Sequence, residues 1–364
     1  MHEFDAVIRE YRNGTVKTSF SERWGEVISG IKFVINSMCC PDTNEQILEC
    51  LHILISKNVT GNRPYSSRYK GFIGELEFAE WFRNNRPGTV SLTGGYLLPV
   101  NEGQETLNCP VYFTVSPESC FSDAYINVYR SLGQIPCKSM YFIRWNDSAP
   151  FGDWRKEDIM KTGTGLPVPE LNVYLFDNEK SDFTGVPFDT FLKEFRFKRR
   201  PDILRGEAVK ASYIQKMRHY NETDLLKLYV QRLIFDGFLG FGVKKGLPGD
   251  IDFIINSGVT HEMQFLEIKE KDLSKGTPRG FGMDVRRIDD LRRITQKTGI
   301  EYFYIVRRVD NQAKRNFVEW LIIDMNDFVR NTGDRIIPGG SGMRKEGTYN
   351  PTRICPYEVF KKLK

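Results

Sequence analysis

Two short apolar runs in the second half of the chain carry charged residues at alternating positions. The first run reads GDIDFII and places Asp250 and Asp252 two residues apart at its start. A turn-like segment separates it from a second run, MQFLEIK, in which Glu267 and Lys269 are also two residues apart. Side chains two residues apart on a strand point to the same face of a sheet. The pattern therefore predicts two neighbouring strands on which carboxylates and one ammonium group converge.

The periodicity becomes helical after the second run. Between residues 283 and 297 apolar residues recur three apart, and the opposite face is rich in Arg and Asp, which predicts a helix. Gly299 is typical of a helix end. The segment 300–306 then predicts a buried strand, followed by a strand over 317–323 and a short helix over 325–330.

The first half of the chain begins with helical patterns and continues with β-like ones. Apolar stripes predict helices over 44–55 and 71–84. Short runs rich in Val, Ile, Tyr and Phe then predict strands separated by Gly, Pro, Ser and Asn, one of them over 125–132. A further strand at 171–176 and a helix at 222–235 complete the pattern.

A Gly- and Pro-rich segment and a strongly basic run lie between these two halves. We therefore predict an N-terminal α+β domain over residues 1–190, a DNA-recognition or effector module, and a second domain over residues 191–364. The alternative is that the N-terminal half is a large insertion into the same core. In either arrangement the expected fold class is α/β.

The composition is that of a globular protein with a substantial core. Of 364 residues, 40% are hydrophobic and 13% are aromatic. No apolar stretch approaches the eighteen or so residues that cross a membrane, and the N-terminus lacks the pattern of a signal peptide. Seven scattered cysteines and four scattered histidines argue against a disulfide framework or a zinc site. We expect a reduced, cytoplasmic protein without a membrane partner.

The converging carboxylates and lysine are suited to a metal centre. Mg²⁺ is a hard cation that prefers oxygen ligands and retains several waters. A lysine beside it can orient a metal-bound water, help to deprotonate it, or stabilise charge on a phosphate. Burying such charges together is costly unless they pair or bind a metal. The two strands therefore indicate the chemistry of phosphodiester hydrolysis.

The two strands resemble the motif of the PD-(D/E)xK nuclease superfamily, which includes restriction endonucleases and archaeal Holliday junction resolvases. Asp252 is followed, after fourteen residues, by Glu267-Ile268-Lys269. The order of acid, apolar strand, turn, apolar strand and E-x-K is that of the superfamily, and so are the helix and strand that follow. The proline of the superfamily's name is displaced here, since Pro248 lies two residues before Asp250.

The resemblance spans residues 221–309, about a quarter of the chain. It implies a restriction-endonuclease-like core in the C-terminal half, which is a mixed sheet flanked by helices. It also implies that Asp252 and Glu267 hold one or two Mg²⁺ ions, with Mn²⁺ as a substitute and with help from the carbonyl of Ile268. Lys269 would position or activate the attacking water.

Three further carboxylates are candidates for additional catalytic roles. Asp250 shares the face of Asp252, but the resemblance favours Asp252 as the principal ligand, and acidic residues are common in turns. The superfamily often adds a glutamate from its first core helix. Glu75 lies in a G-E-x-x-x-A pattern that resembles the start of that helix, although it would require a very long insertion before the motif strands. Glu222 begins the helix just before the motif, where a glutamate also complements the helix dipole.

Basic residues cluster in two places, although the formal net charge is only +5. One run interleaves Lys and Arg with phenylalanines between residues 193 and 205, and a second cluster follows the E-x-K strand. Such clusters are typical of phosphate-backbone binding; the alternatives are solvated surface and pairing with acidic residues on the same helix. The residues predicted to contact nucleic acid are Lys198, Arg199, Arg200, Lys271, Arg279, Arg286, Arg287 and Arg293.

The function predicted from the resemblance is Mg²⁺-dependent hydrolysis of DNA. A site-specific restriction endonuclease or a related defence nuclease, acting as a homodimer, is the first hypothesis and rests on analogy. A structure-selective nuclease, such as a junction resolvase or a transposon-end nuclease, is the alternative among enzymes. A nucleic-acid-binding protein with a decayed active site and a subunit that needs another chain for activity are the alternatives from other classes.

Overall fold

The computed structural model describes residues 42–57, 62–101, 104–161, 163–195, 207–240, 249–256, 262–339 and 349–363. The chain divides into two compact units, Met1–Gln46 and Ile47–Lys364, and the account below concerns the second. The predicted nucleic-acid contacts Lys198, Arg199 and Arg200 lie outside the described residues.

Helices and strands of the described residues come in the following order. The helices are α1 (Thr43–Lys57), α2 (Asn62–Asn85), α3 (Ala124–Leu132), α4 (Phe188–Leu192), α5 (Glu207–Met217), α6 (Glu222–Arg232), α7 (Val285–Thr298) and α8 (Met325–Asn331). A π-helical turn over Leu233–Phe238 continues α6. The strands are β1 (Val90–Leu98), β2 (Val111–Pro117), β3 (Ser139–Trp145), β4 (Arg155–Glu157), β5 (Leu166–Val168), β6 (Leu171–Asp177), β7 (Asp182–Val186), β8 (Gly249–Asn256), β9 (Met263–Lys271), β10 (Gly280–Asp284), β11 (Glu301–Val309), β12 (Phe317–Asp324), β13 (Ile337–Pro338), β14 (Pro351–Pro356) and β15 (Lys361–Lys362).

Among the described residues, one ten-stranded sheet has the order β15-β12-β11-β9-β8-β1-β2-β3-β6-β7. Strands β1, β8 and β9 are antiparallel neighbours, β9 and β11 are parallel, and β2 and β3 are parallel. The helix α7 makes the connection between the parallel strands β9 and β11, as a parallel pair requires. Strands β10, β14 and β13 form a small separate sheet, and β4 pairs with β5.

Side chains of the large sheet alternate between two buried layers. On β9, Phe265 belongs to the layer that contains α3, α7 and α8, whereas Leu266 packs with α2 on the other side. On β11, Tyr302 and Ile305 are divided between the layers in the same way. Burying an apolar side chain of this size contributes about 1.5–3 kcal/mol, so covering both faces fixes the register of the central strands.

Helix α7 follows directly from its sequence pattern. Ile288, Leu291 and Ile294 form one buried stripe. Of the polar residues between them, Asp289, Arg292 and Arg293 are exposed and Asp290 is buried. The helix ends at Gly299, which adopts a left-handed conformation (φ 70°) that glycine accepts without strain. The helix predicted over 283–297 is present as Val285–Thr298, although Met283 and Asp284 belong to β10, and the strand predicted after it is confirmed.

One predicted strand is wrong. The segment 125–132 is the helix α3, in which Tyr125, Val128, Tyr129 and Leu132 are buried. These residues are spaced three and four apart, which puts them on one helical face, and their fit against the sheet outweighs the β-propensity of Tyr, Val and Ile.

The protein has a mixed α/β fold with a large mixed sheet flanked by helices, as predicted. The predicted boundary between residues 190 and 191 falls within the unit Ile47–Lys364, and strands from both sides of it join the large sheet. The division into two domains stays a prediction. Within the described ranges, the structure contains no helix long and apolar enough to cross a membrane.

Candidate metal centre

Strands β8 and β9 stop pairing where their charged residues begin. Phe253 pairs with Leu266, and the paired positions end there. One residue further, Oδ2 of Asp252 accepts the backbone N–H of Ile268 at 2.7 Å. A side-chain carboxylate thus takes the place of a backbone carbonyl as acceptor, which satisfies a buried donor and anchors the carboxylate at the gap between the strands.

Three carboxylates meet at this gap, from Asp250, Asp252 and Glu267. One oxygen from each lies within 4.8 Å of the others. The side chains of Asp252 and Glu267 are 3% and 1% exposed, whereas that of Asp250 is 39% exposed. A donor set made only of oxygens fits Mg²⁺ or Mn²⁺, which prefer such ligands. The predicted convergence of these side chains is therefore present.

Lys269 lies between two of the carboxylates. Its Nζ is 3.3 Å from Oδ2 of Asp252 and 3.0 Å from Oε1 of Glu267. Burial alone would lower the pKa of this amine, but the two carboxylates outweigh burial and hold the pKa well above its ordinary value. Lys269 is therefore a cation at neutral pH.

Arg287 on α7 forms the other side of the cluster. Its Nη2 lies 2.9 Å from Oδ1 of Asp250 and also donates to the backbone carbonyl of Asp250 and to Oε2 of Glu267. Burial raises the pKa of Glu267, but Arg287 and Lys269 together bring it below its ordinary value. Glu267 is thus an ionised carboxylate held between two cations.

Asp252 is placed differently from Glu267. Burial raises the pKa of Asp252 well above its ordinary value, and Lys269 offsets this only in part. A buried carboxyl group whose pKa is raised in this way, beside other charged groups, marks a candidate functional site.

Glu75 on α2 acts on the same cluster. Burial raises its pKa to about 7, while Lys269 and Arg232 lower it and Asp250 raises it further. Helix α2 packs on the face of the sheet opposite α7, and the charges of Lys269, Asp250 and Glu267 act on Glu75. A long stretch of chain separates α2 from the motif strands, and β1 nevertheless pairs with β8. That this stretch is an insertion into a nuclease core stays a prediction.

Glu222 lies elsewhere. It is exposed in the first turn of α6, next to the N-cap Asn221, whose side chain accepts the N–H of Thr223 at 2.8 Å. None of the ion pairs among the described residues joins Glu222 to the cluster. Of the two competing glutamates, the structure brings Glu75 to the carboxylates and Lys269.

A buried ionic chain behind Glu75 has no signal in the sequence spacing. Arg232 donates from Nη2 to the hydroxyl of Tyr96, and its Nη1 lies 3.7 Å from Oδ2 of Asp236. Arg68 reaches the other oxygen of Asp236 at 2.7 Å. The π-helical turn that follows Arg232 contains Asp236, and such turns are often found at functional sites.

Tyr302 on β11 is a second unforeseen neighbour of the cluster. Its hydroxyl donates to the backbone carbonyl of Asp250 at 3.1 Å, the carbonyl that Arg287 also contacts. The sequence predicted Tyr302 only as part of a buried strand.

The basic residues predicted to contact nucleic acid have varied surroundings. Arg286 donates to Oγ1 of Thr106 at 2.8 Å, and Arg293 lies 3.6 Å from Glu105, so both contact the segment between β1 and β2. Lys271 is half-buried and burial lowers its pKa. The list is completed by Arg279, which is exposed, and by Arg287, which lies inside the carboxylate cluster. Their contact with nucleic acid stays a prediction.

The chain matches no protein-family model, no curated protein sequence and no solved structure. The assignment of a function therefore rests on the residues and their arrangement.

Proposed function

We propose that this protein is a metal-dependent endonuclease that hydrolyses DNA phosphodiester bonds. The observation that carries the proposal is the position of Lys269, whose Nζ bridges the buried carboxylates of Asp252 and Glu267 beside a third carboxylate, Asp250. Asp252, Glu267 and Lys269 on two neighbouring strands are the set that the resemblance to PD-(D/E)xK nucleases implies, and Asp250 adds a third carboxylate to it.

The order of elements supports the same proposal. The resemblance implies a first core helix, then motif strands, and then a helix and a strand. Here α2 carries Glu75, β8 and β9 carry the motif, and α7 and β11 follow. In the proposed core, β1 pairs with β8, and the segment between them is a large insertion. This favours the insertion hypothesis over a separate N-terminal module.

Each residue of the centre has a proposed task. Asp250, Asp252 and Glu267 would hold the cation, with the Ile268 carbonyl as an additional ligand implied by the resemblance. When bound, a divalent cation supplies Lewis-acid polarisation of the phosphate and lowers the pKa of a coordinated water. Lys269 keeps its proton, since its pKa is raised, so it acts as a hydrogen-bond donor to a water or to a phosphate oxygen.

The test is cleavage of linear, supercoiled and branched DNA by the purified protein with Mg²⁺, Mn²⁺ or EDTA. We expect metal-dependent cleavage that falls about 10²–10³-fold in Lys269→Ala, the usual loss for one charge-stabilising donor. Lys297→Ala is the matched control, because Lys297 is exposed in the last turn of α7. Absence of cleavage on all three substrates with either metal would overturn the proposal.

The same assay separates the classes of nuclease. Discrete fragments from linear DNA identify a site-specific endonuclease, whereas cleavage confined to branched DNA identifies a structure-selective one. We also propose that the active form is a homodimer, because cutting both strands of a duplex is commonly done by two copies of one site. Sedimentation of the protein with DNA would give its stoichiometry, and a monomer active on both strands would contradict it.

A further inference from the structure

The six oxygens of the three carboxylates differ in whether they have a hydrogen-bond or ion-pair partner. Both oxygens of Glu267 are held by cations, Oε1 by Lys269 and Oε2 by Arg287. Asp252 has its Oδ2 engaged by Ile268 and Lys269. Asp250 has its Oδ1 engaged by Arg287.

Two oxygens are left over. Oδ1 of Asp252 and Oδ2 of Asp250 have no hydrogen-bond or ion-pair partner within the part of the chain that the structure describes. The side chain of Asp252 as a whole is 3% exposed, and its carboxylate lies in the group that Asp250 and Glu267 complete. A carboxylate oxygen that has no protein partner and lies beside two other carboxylates is free to coordinate a cation.

Arg287 bridges two of the carboxylates with a single nitrogen. Its Nη2 contacts both Asp250 and Glu267, and its side chain is only 15% exposed. The side chain is also held in place by its helix, because the next residue, Ile288, is buried against the sheet. A second divalent ion in a two-metal site would need carboxylate oxygens of the same group, and Arg287 already engages one oxygen of Asp250 and one of Glu267.

We propose that the centre takes one divalent cation per chain and that Arg287 occupies the position that a second cation would need. The inference rests on the proposed function for the substrate, a phosphodiester. In the contacting group, Lys269 and Arg287 offset two of the three carboxylates in formal charge. One divalent ion then leaves a single positive charge, which matches the single negative charge of a phosphodiester. A second ion would leave three positive charges in a largely buried site, which is electrostatically unfavourable.

The experiment counts Mn²⁺ ions in the absence of nucleic acid, by equilibrium dialysis and by electron paramagnetic resonance. Wild-type protein is expected to bind one Mn²⁺ per chain, with the six-line spectrum of an isolated ion at saturation. Arg287→Met, which keeps the length of the side chain but removes its charge, is expected to bind two ions. Arg292→Met is the matched control on the exposed face of α7 and is expected to bind one.

Each of the other outcomes contradicts one part of the inference or the proposed function. Two ions in the wild type, seen by dialysis or as spin–spin coupling in the spectrum, overturn the inference, and this result does not depend on whether Arg287→Met folds. One ion in folded Arg287→Met overturns the role of Arg287. No bound Mn²⁺ in the wild type overturns the metal centre and with it the proposed function. One bound Mn²⁺ without any DNA cleavage overturns the proposed function alone.

Discussion

Asp252 and Ile268 are joined by a hydrogen bond that continues the sheet after backbone pairing between their strands has ended. Oδ2 of Asp252 accepts the N–H of Ile268 at 2.7 Å, immediately beside the last paired residues. The same carboxylate faces Lys269 and the other acids of the centre. The carboxylate of Asp252 therefore has two roles. It accepts a backbone hydrogen bond between the two strands and it is a candidate metal ligand, and these roles can be separated by mutation.

Substitution of Asp252 separates the two roles. Asp252→Ala leaves the N–H of Ile268 without its acceptor, whereas the amide oxygen of Asp252→Asn can still accept it. We expect Asp252→Ala to be about 1–3 kcal/mol less stable than Asp252→Asn in urea unfolding with EDTA. Both variants should lose metal-dependent cleavage. Equal stability of the two variants would show that the hydrogen bond does not contribute to the fold.

The stability of the metal-free protein should fall as the pH rises through neutrality. The pKa of Glu75 is about 7 in the folded protein, above its ordinary value of 4.5. A carboxyl with a raised folded pKa contributes stability that is complete below the unfolded value and is lost as pH rises through the folded value. Between pH 5 and pH 8.5 we expect a decrease of up to about 3 kcal/mol in EDTA.

Glu75→Gln should remove most of that decrease, because the amide does not titrate. Glu80→Gln is the control, since Glu80 is exposed on the same helix. The measurement is the free energy of unfolding in urea across the pH range. A pH dependence that is identical in wild type and Glu75→Gln would assign the decrease to another group.

Divalent cations should stabilise the protein more strongly at higher pH. Protons and metal ions compete for the carboxylates, and the raised pKa of Asp252 moves this competition to higher pH than for an ordinary carboxylate. At a concentration of about 100 times Kd, Mg²⁺ or Mn²⁺ should add about 2.7 kcal/mol. Thermal unfolding at pH 6 and pH 8, with metal and with EDTA, checks this. Asp252→Asn should abolish the shift in Tm, and a shift of the same size in that variant would place the ion elsewhere.

Asp236 should be essential for the fold around the π-helical turn. It is fully buried and pairs with Arg68, with Arg232 nearby. Asp236→Asn leaves two buried guanidinium groups without their carboxylate, and we expect a loss of about 3–5 kcal/mol in urea unfolding. Arg330→Ala, which breaks an exposed ion pair with Asp327, should change stability by less than about 1 kcal/mol. Similar losses in both variants would contradict the importance assigned to burial.

Local sequence patterns predicted the residues of the centre that lie close together in the sequence, on β8 and β9. Alternation along β8 and β9 placed Asp252, Glu267 and Lys269 together, and helical periodicity located α7. Glu75 was one of two candidates because sequence spacing does not show that β1 pairs with the distant β8. Arg287 was predicted as a nucleic-acid contact, since the pattern gives its helix but not the direction in which its side chain extends.

The pairing of β1 with β8 also affects how the protein folds. Leu92 and Ile254 are paired although roughly 160 residues of chain separate them. The contact between β1 and β8 is therefore strongly non-local, and such contacts slow folding. Pairings of such high sequence separation form late, after closure of a long loop. The metal centre, which includes Asp250 and Asp252 at the start of β8, should therefore assemble among the last steps of folding. Substitutions there should mainly accelerate unfolding and leave the folding rate nearly unchanged.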